Sequence, residues 1–205
     1  MRNELNISLR EGERELLSVL ALRVRVMTVL QIVRTWPAIL SRLSRLEREG
    51  FVHSFVAVTH PELPVSAPLV QWRIGDPSPA FTKVSYRLQS RWCKAAVPIK
   101  CFIASRASGN MFGGHGGRYP RESEESHDIL LAAVFLRFRR LQPELVGSWV
   151  HEEELRRDRK DRRGKVPDAM VGKHRVIECG GAYKTKKLIG FHRFCEARGY
   201  EYEVW

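Results

Sequence analysis

Between residues 13 and 50 the apolar side chains recur three and four apart: Leu16, Leu17 and Leu20, then Val29, Ile32 and Val33, then Ile39, Leu40, Leu43 and Leu46. That spacing lines one face of a helix in each segment. Three short helices in succession narrow the choice of fold more than any other feature of the chain. Thr35-Trp36-Pro37 opens the third, with Pro37 at a first-turn position where its missing N–H costs little, and Gly50 stands where a C-terminal cap is expected. Residues 30–36 are expected to supply the turn before it.

The pattern then changes. Residues 51–59 alternate apolar and small or polar side chains, and 68–74 form a second β-like run ending at Gly75-Asp76-Pro77, so the two are expected to pair as a hairpin or wing. An amphipathic helix over 80–92 and a strand over 97–104 follow. Residues 105–119 carry glycines at 109, 113, 114, 116 and 117 and read as a flexible linker. They lack the G-x-x-x-x-G-K-[ST] spacing of a phosphate-cradling loop. Beyond residue 120 the expected elements are a long helix (122–141), a strand (146–150) and a charged helix or loop (152–164). Strands at 167–171 and 175–179, a helix at 184–198 and a strand at 200–204 complete an αβββαβ order. The chain is therefore read as α/β, with an N-terminal winged helix-turn-helix over 1–105, a glycine-rich linker over 106–120 and the αβββαβ unit over 121–205.

Thirty-five Lys and Arg against 23 Asp and Glu leave a net charge of +12. Such an excess favours polyanionic partners through counterion release, and double-stranded DNA is the expected one. The apolar stretch 16–33 is interrupted by Arg23, Arg25 and Gln31, so no membrane-spanning helix is expected. The acidic N-terminus does not read as a secretory signal, and the expected location is the cytoplasm. Cys93, Cys101, Cys179 and Cys195 are scattered without a C-x-x-C pair, which points to reduced thiols in place of zinc or disulfides.

On the third helix, Arg42, Arg45 and Arg48 recur every three residues opposite the leucine stripe, while Ser41 and Ser44 add hydroxyl groups. In a winged helix this helix enters the major groove, and these residues are the expected DNA contacts. The plainer alternative is a solvated amphipathic face. The basic run at 156–165, including Arg162 and Arg163, lies just before Asp168 and is expected to guide a phosphate backbone toward it.

Pro167-Asp168 and, ten residues after the aspartate, Glu178 place two carboxylates on adjacent predicted strands. Paired strands lie ~4.8 Å apart, close enough for both acids to meet one ion. Mg²⁺ suits them, because it binds through one or two carboxylates and fills its shell with waters and phosphate oxygens. Mn²⁺ is the second choice.

With these residues and the αβββαβ order, residues 122–205 resemble the PD-(D/E)xK nuclease superfamily. The winged helix, the His127-Asp128 helix, Pro167-Asp168 and Ile177-Glu178 together resemble replication-relaxation-type proteins of plasmids and other mobile elements. The resemblance implies that Asp168 and Glu178 bind metal, with Asp128, Glu124 or Glu125 joining from the first helix. It also implies a lysine beside the attacking water. Gly180 stands at that motif position, so Lys184 is the expected substitute, ahead of Lys186 and Lys187. The implied activity is metal-dependent DNA nicking or cleavage. The alternative is a non-catalytic DNA-binding or regulatory protein with the nuclease-like unit as scaffold, and a homodimer or a partner protein of a mobile element is implied. His127 and His192 are expected in supporting roles, and Tyr183 in packing or support of the strand end.

Overall fold

The computed structural model describes residues 8–61, 63, 65–92, 94–157 and 165–205. Helix α1 (Glu11–Leu22) buries Leu16, Leu17 and Leu20. A two-residue strand, β1 (Met27–Thr28), leads into α2 (Val29–Thr35), where Gln31 N donates to Thr28 Oγ1 and Thr28 N donates back to Gln31 Oε1. This reciprocal cap explains why residues 30–36 form a helix where a turn was expected. The expected third helix divides into a 3₁₀ segment (Pro37–Arg42) and α3 (Leu43–Arg48).

Strand β2 (Val52–Thr59) follows, then β3 (Val70–Trp72), α4 (Phe81–Ser90) and β4 (Val97–Ala104). The expected pairing of the first two runs does not occur. β2 pairs along its whole length with β4, from Val52↔Ala104 to Thr59↔Val97, and β1 adds to the other side of β4. The reason is length and burial. The eight residues of β2 match the eight of β4, whose inner half is buried, whereas β3 spans three residues and stacks Trp72 on Tyr202 elsewhere, with ring centroids 5.4 Å apart.

The glycine-rich stretch is structured too. α5 (Arg106–Phe112) occupies its first half. His115 N donates to Ala21 O at 2.7 Å, and a Cβ on Gly114 or Gly116 would strike the backbone oxygens of Ala21 and Ser105. These glycines serve close backbone packing in place of the expected flexible linker.

The remaining elements are α6 (Glu122–Leu141), α7 (Pro143–Val146), β5 (Trp149–His151), α8 (Glu152–Arg157), β6 (Ala169–Val171), β7 (Arg175–Glu178), α9 (Thr185–Glu196) and β8 (Glu201–Val204). The second sheet runs β3-β8-β7-β6-β5, antiparallel except for the parallel β7/β8 pair. The molecule is thus mixed α/β, with one three-stranded and one five-stranded sheet. α6 is buried on several sides. Ile129 packs with Val26, Ala57, Cys101 and Ile103 of the smaller sheet, while Phe135 and Phe138 meet Trp149 of the larger one. On the other face of the larger sheet, α4 and α9 bury Val84, Leu88, Leu188 and Phe191 against Val176 and Tyr202. Among the described residues no helix is long and apolar enough to cross a membrane. Cys101, Cys179 and Cys195 are buried free thiols, and Cys93 lies outside the described residues.

Candidate active site

Asp168 and Glu178 close the hairpin formed by β6 and β7. The register runs Val171↔Arg175, Met170↔Val176, Ala169↔Ile177, and its next step sets Asp168 opposite Glu178. Directly opposed residues leave the same face of a sheet. Both acids are buried. Asp168 Oδ2 accepts from Cys179 N at 2.7 Å and meets His127 Nε2 at 2.9 Å. Glu178 Oε1 accepts from Tyr183 OH at 2.9 Å and from Lys165 Nζ at 3.0 Å, while Glu178 Oε2 has no hydrogen-bond partner among the described residues. Burial and the neighbouring Asp168 charge push the Glu178 carboxyl up to about 7, against the pull of Lys165 and Tyr183.

Of the expected residues, the hairpin brings Asp168 and Glu178 together and leaves Lys184 aside. Lys184 caps the N-terminus of α9 and forms no ion pair with either carboxylate among the described residues. Lys165, three residues before Asp168, supplies the ammonium instead, its Nζ also lying 4.0 Å from the centre of the Phe191 ring. The signal was present in Lys165-Val166-Pro167-Asp168 but points the opposite way along the chain from the motif lysine.

Gly180 shows why that motif position holds no side chain. A Cβ there would lie 2.9 Å from Leu88 Cδ2, and an Arg91 guanidinium nitrogen donates to Gly180 O. Helix α4, from the segment between β2 and β4, fills the space that a lysine stem at 180 would need.

Asp128 does not face the same cleft. Its Oδ1 lies 3.0 Å from His127 Nδ1 and its Oδ2 lies 3.1 Å from Arg25, which also pairs with Glu124. Glu125 is buried near β2, where Val58 N donates to it, and burial and the Glu122 charge raise its pKa. His127 therefore bridges Asp128 and Asp168. Burial alone would lower its basicity, but the two carboxylates on its two nitrogens hold it well above the usual imidazole value, as an imidazolium. His192 is buried against Trp72, its Nδ1 3.1 Å from Tyr202 OH.

Arg156, Lys165, Asp168, Glu178, Tyr183 and Lys187 line an open cleft of about 450 Å³. The Lys187 ammonium lies 3.3 Å from the Tyr183 ring centre, and burial lowers its pKa while Glu178 opposes that shift. Arg162 and Arg163 lie outside the described residues. No group of three or more His, Cys, Asp or Glu side chains placed to hold a metal ion occurs among the described residues. Two adjacent carboxylates and an unpartnered Glu178 oxygen nevertheless fit a hard cation that asks for only one or two protein ligands.

On the 3₁₀ segment and α3, the expected DNA-contact residues divide. Arg42 Nε and Arg45 NH2 turn inward to the buried Glu13 carboxylate, and Arg45 also lies 3.5 Å from Glu49. Ser41, Ser44 and Arg48 are exposed. No family model matches the chain, and no curated protein or solved structure matches it.

Proposed function

We propose that this protein binds double-stranded DNA through a winged helix and cuts or nicks it at Asp168 and Glu178 with Mg²⁺ or Mn²⁺. The observation that carries the reading is the pairing of these two buried acids across one hairpin end, with the Lys165 ammonium on Glu178 and one Glu178 oxygen left unpartnered. The reading is supported by the strand order β1-β4-β2 behind α1, α2, the 3₁₀ segment and α3, which resembles a winged helix, and by β5-β6-β7-β8 with α6 and α9, which resembles the αβββαβ order of the PD-(D/E)xK nucleases. This resemblance also supports a role in mobile-element replication.

Asp168 and Glu178 would hold the ion. When bound, such an ion lowers the pKa of water and stabilises the leaving oxygen of a phosphodiester. The chain's own groups do the rest. His127 and Cys179 N fix the orientation of Asp168, Tyr183 and Lys165 fix Glu178, and Lys165, Lys187 and Arg156 offer positive charge to phosphate oxygens in the cleft. Ser41 of the 3₁₀ segment and Ser44 and Arg48 of α3 are the exposed groups for the duplex.

A second reading is favoured by one feature: Lys165 and His127 already give each acid an organic cation, as in a scaffold that binds DNA without cutting it. Supercoiled plasmid incubated with Mg²⁺ or Mn²⁺ separates the two. The nuclease reading expects nicking by the wild type that falls at least about 100-fold in D168A, E178A and K165A. Full DNA affinity with no nicking in any of the four proteins leaves the scaffold.

A further inference from the structure

A second cavity, of about 340 Å³, is lined in part by His127, whose Nε2 lies 2.9 Å from Asp168 of the carboxylate cleft. Its volume falls within the ~300–1,000 Å³ of small-ligand pockets. The composition differs from that of the first cleft. His60 and Trp92 supply two aromatic faces, their centroids 5.2 Å apart and their planes 32° from parallel. Gly180 and Gly181 add lining without side chains, and Glu122 and Ser123, from the first turn of α6, add a carboxylate and a hydroxyl.

No lysine or arginine lines this cavity among the described residues, whereas three line the carboxylate cleft. The cation that a phosphate would meet here, the His127 imidazolium, is already held between Asp128 and Asp168, and the Glu122 carboxylate would repel it. A flat, uncharged ring with a polar edge has what it needs: the His60–Trp92 pair, with the Arg91 guanidinium over Trp92, to extend as a stack, a backbone wall without side chains, and a carboxylate and a hydroxyl for its amino and imino groups. The geometry around the cavity is held in place. Ser126 Oγ pairs with Thr59 Oγ1 and accepts from His60 N, and His60 Nδ1 lies 2.7 Å from Lys94 O.

We propose that this cavity receives one unstacked nucleobase of a single-stranded or locally opened nucleic acid, so that the adjoining phosphate is presented to the Asp168–Glu178 cleft. Two links join the spaces: His127 of the cavity, whose Nε2 touches Asp168 of the cleft, and the chain from Glu178 to Tyr183, whose Gly180 and Gly181 line the cavity while its two ends line the cleft. The site deepens the nucleic-acid reading above and rests on it. It sets the substrate class as strands with an unpaired base, with duplex DNA held elsewhere by α3.

The test is binding of the full chain to a labelled single-stranded oligonucleotide in EDTA, read by anisotropy, beside a duplex of the same sequence. An abasic site is stepped along the single strand. The expected result is one position at which base removal weakens wild-type binding about tenfold. In W92A, intact single strand binds about tenfold more weakly, the abasic step at that position costs nothing further, and duplex affinity is unchanged. W92F, which keeps a ring, retains most of the single-strand affinity. A flat abasic profile with wild type overturns the proposal without reference to any variant, and so does equal weakening of single strand and duplex by W92A. Because no metal is present, loss of the cutting proposal in the plasmid assay leaves this measurement standing.

Discussion

Glu13 and Glu178 are both glutamates sealed from solvent beside basic side chains, and they end in opposite electrostatic states. Glu13 has both oxygens engaged by Arg42, Arg45 and the Arg10 backbone N–H. Burial works to raise its pKa, but these bonds and charges outweigh it and leave the carboxylate below its ordinary value. Glu178 has one ammonium and one phenol on one oxygen and no hydrogen-bond partner on the other among the described residues, and its burial and the acid opposite outweigh those two contacts, so its pKa rises. The fold satisfies the first acid completely and leaves the second incomplete. Incomplete satisfaction of a buried carboxylate marks a place for a ligand better than burial or charge alone does.

Removing Glu13 should have the largest effect. E13A strands Arg42 and Arg45 against a buried void and should cost about 3–5 kcal/mol in urea unfolding, and a loss under about 1 kcal/mol would end the claim that this pair holds α1 to α3. E178Q should go the other way. It removes a charge that the fold solvates poorly, and should stabilise the metal-free protein by about 1–3 kcal/mol at pH 8. Destabilisation there would place Glu178 in the same class as Glu13.

The pH dependence sharpens the contrast. Glu178 keeps its proton in the folded state up to about 7 but gives it up near 4.5 when unfolded, so the unfolded chain binds fewer protons between these values. Wild-type stability should therefore fall relative to E178Q as pH rises from 4.5 to 7. Glu13, with its folded pKa lowered, contributes stability that is present above 4.5 and lost as pH falls through the folded value, so the advantage of wild type over E13Q should shrink in acid. Parallel pH curves for the two variants would dissolve the comparison.

The smallest effect concerns DNA. R48A should lower the salt slope of duplex binding by about one unit. R42A, whose guanidinium is spent on Glu13, should leave that slope unchanged while lowering stability. A slope change from R42A alone would return Arg42 to the DNA surface.

The residues themselves show how much could be read without coordinates. Helix α6 and the β6/β7 hairpin were legible because twenty residues without Gly or Pro around a continuous apolar run, and two short apolar runs flanking a glycine turn, admit few alternatives, and the spacing of Asp168 and Glu178 followed from the hairpin. The partner of β2 was not legible. Pairing depends on which eight-residue strand can bury its inner half, a contest between segments far apart in the chain. The relocated lysine was missed for a related reason. Only the approach of Leu88 to Gly180 shows that the motif position is filled by another helix, and only the bend before β6 returns Lys165 to Glu178. The inward turn of Arg42 and Arg45 was hidden because helical spacing places them opposite the leucines and says nothing of a carboxylate arriving from α1.

The chain between β2 and β4 leaves one sheet, lays β3 along the border of the other, covers Gly180 with α4 and then returns to finish the ladder it left. Such a stitch ties the fate of each half to the other. Heat should release both in a single step, with no temperature at which one sheet survives without its neighbour.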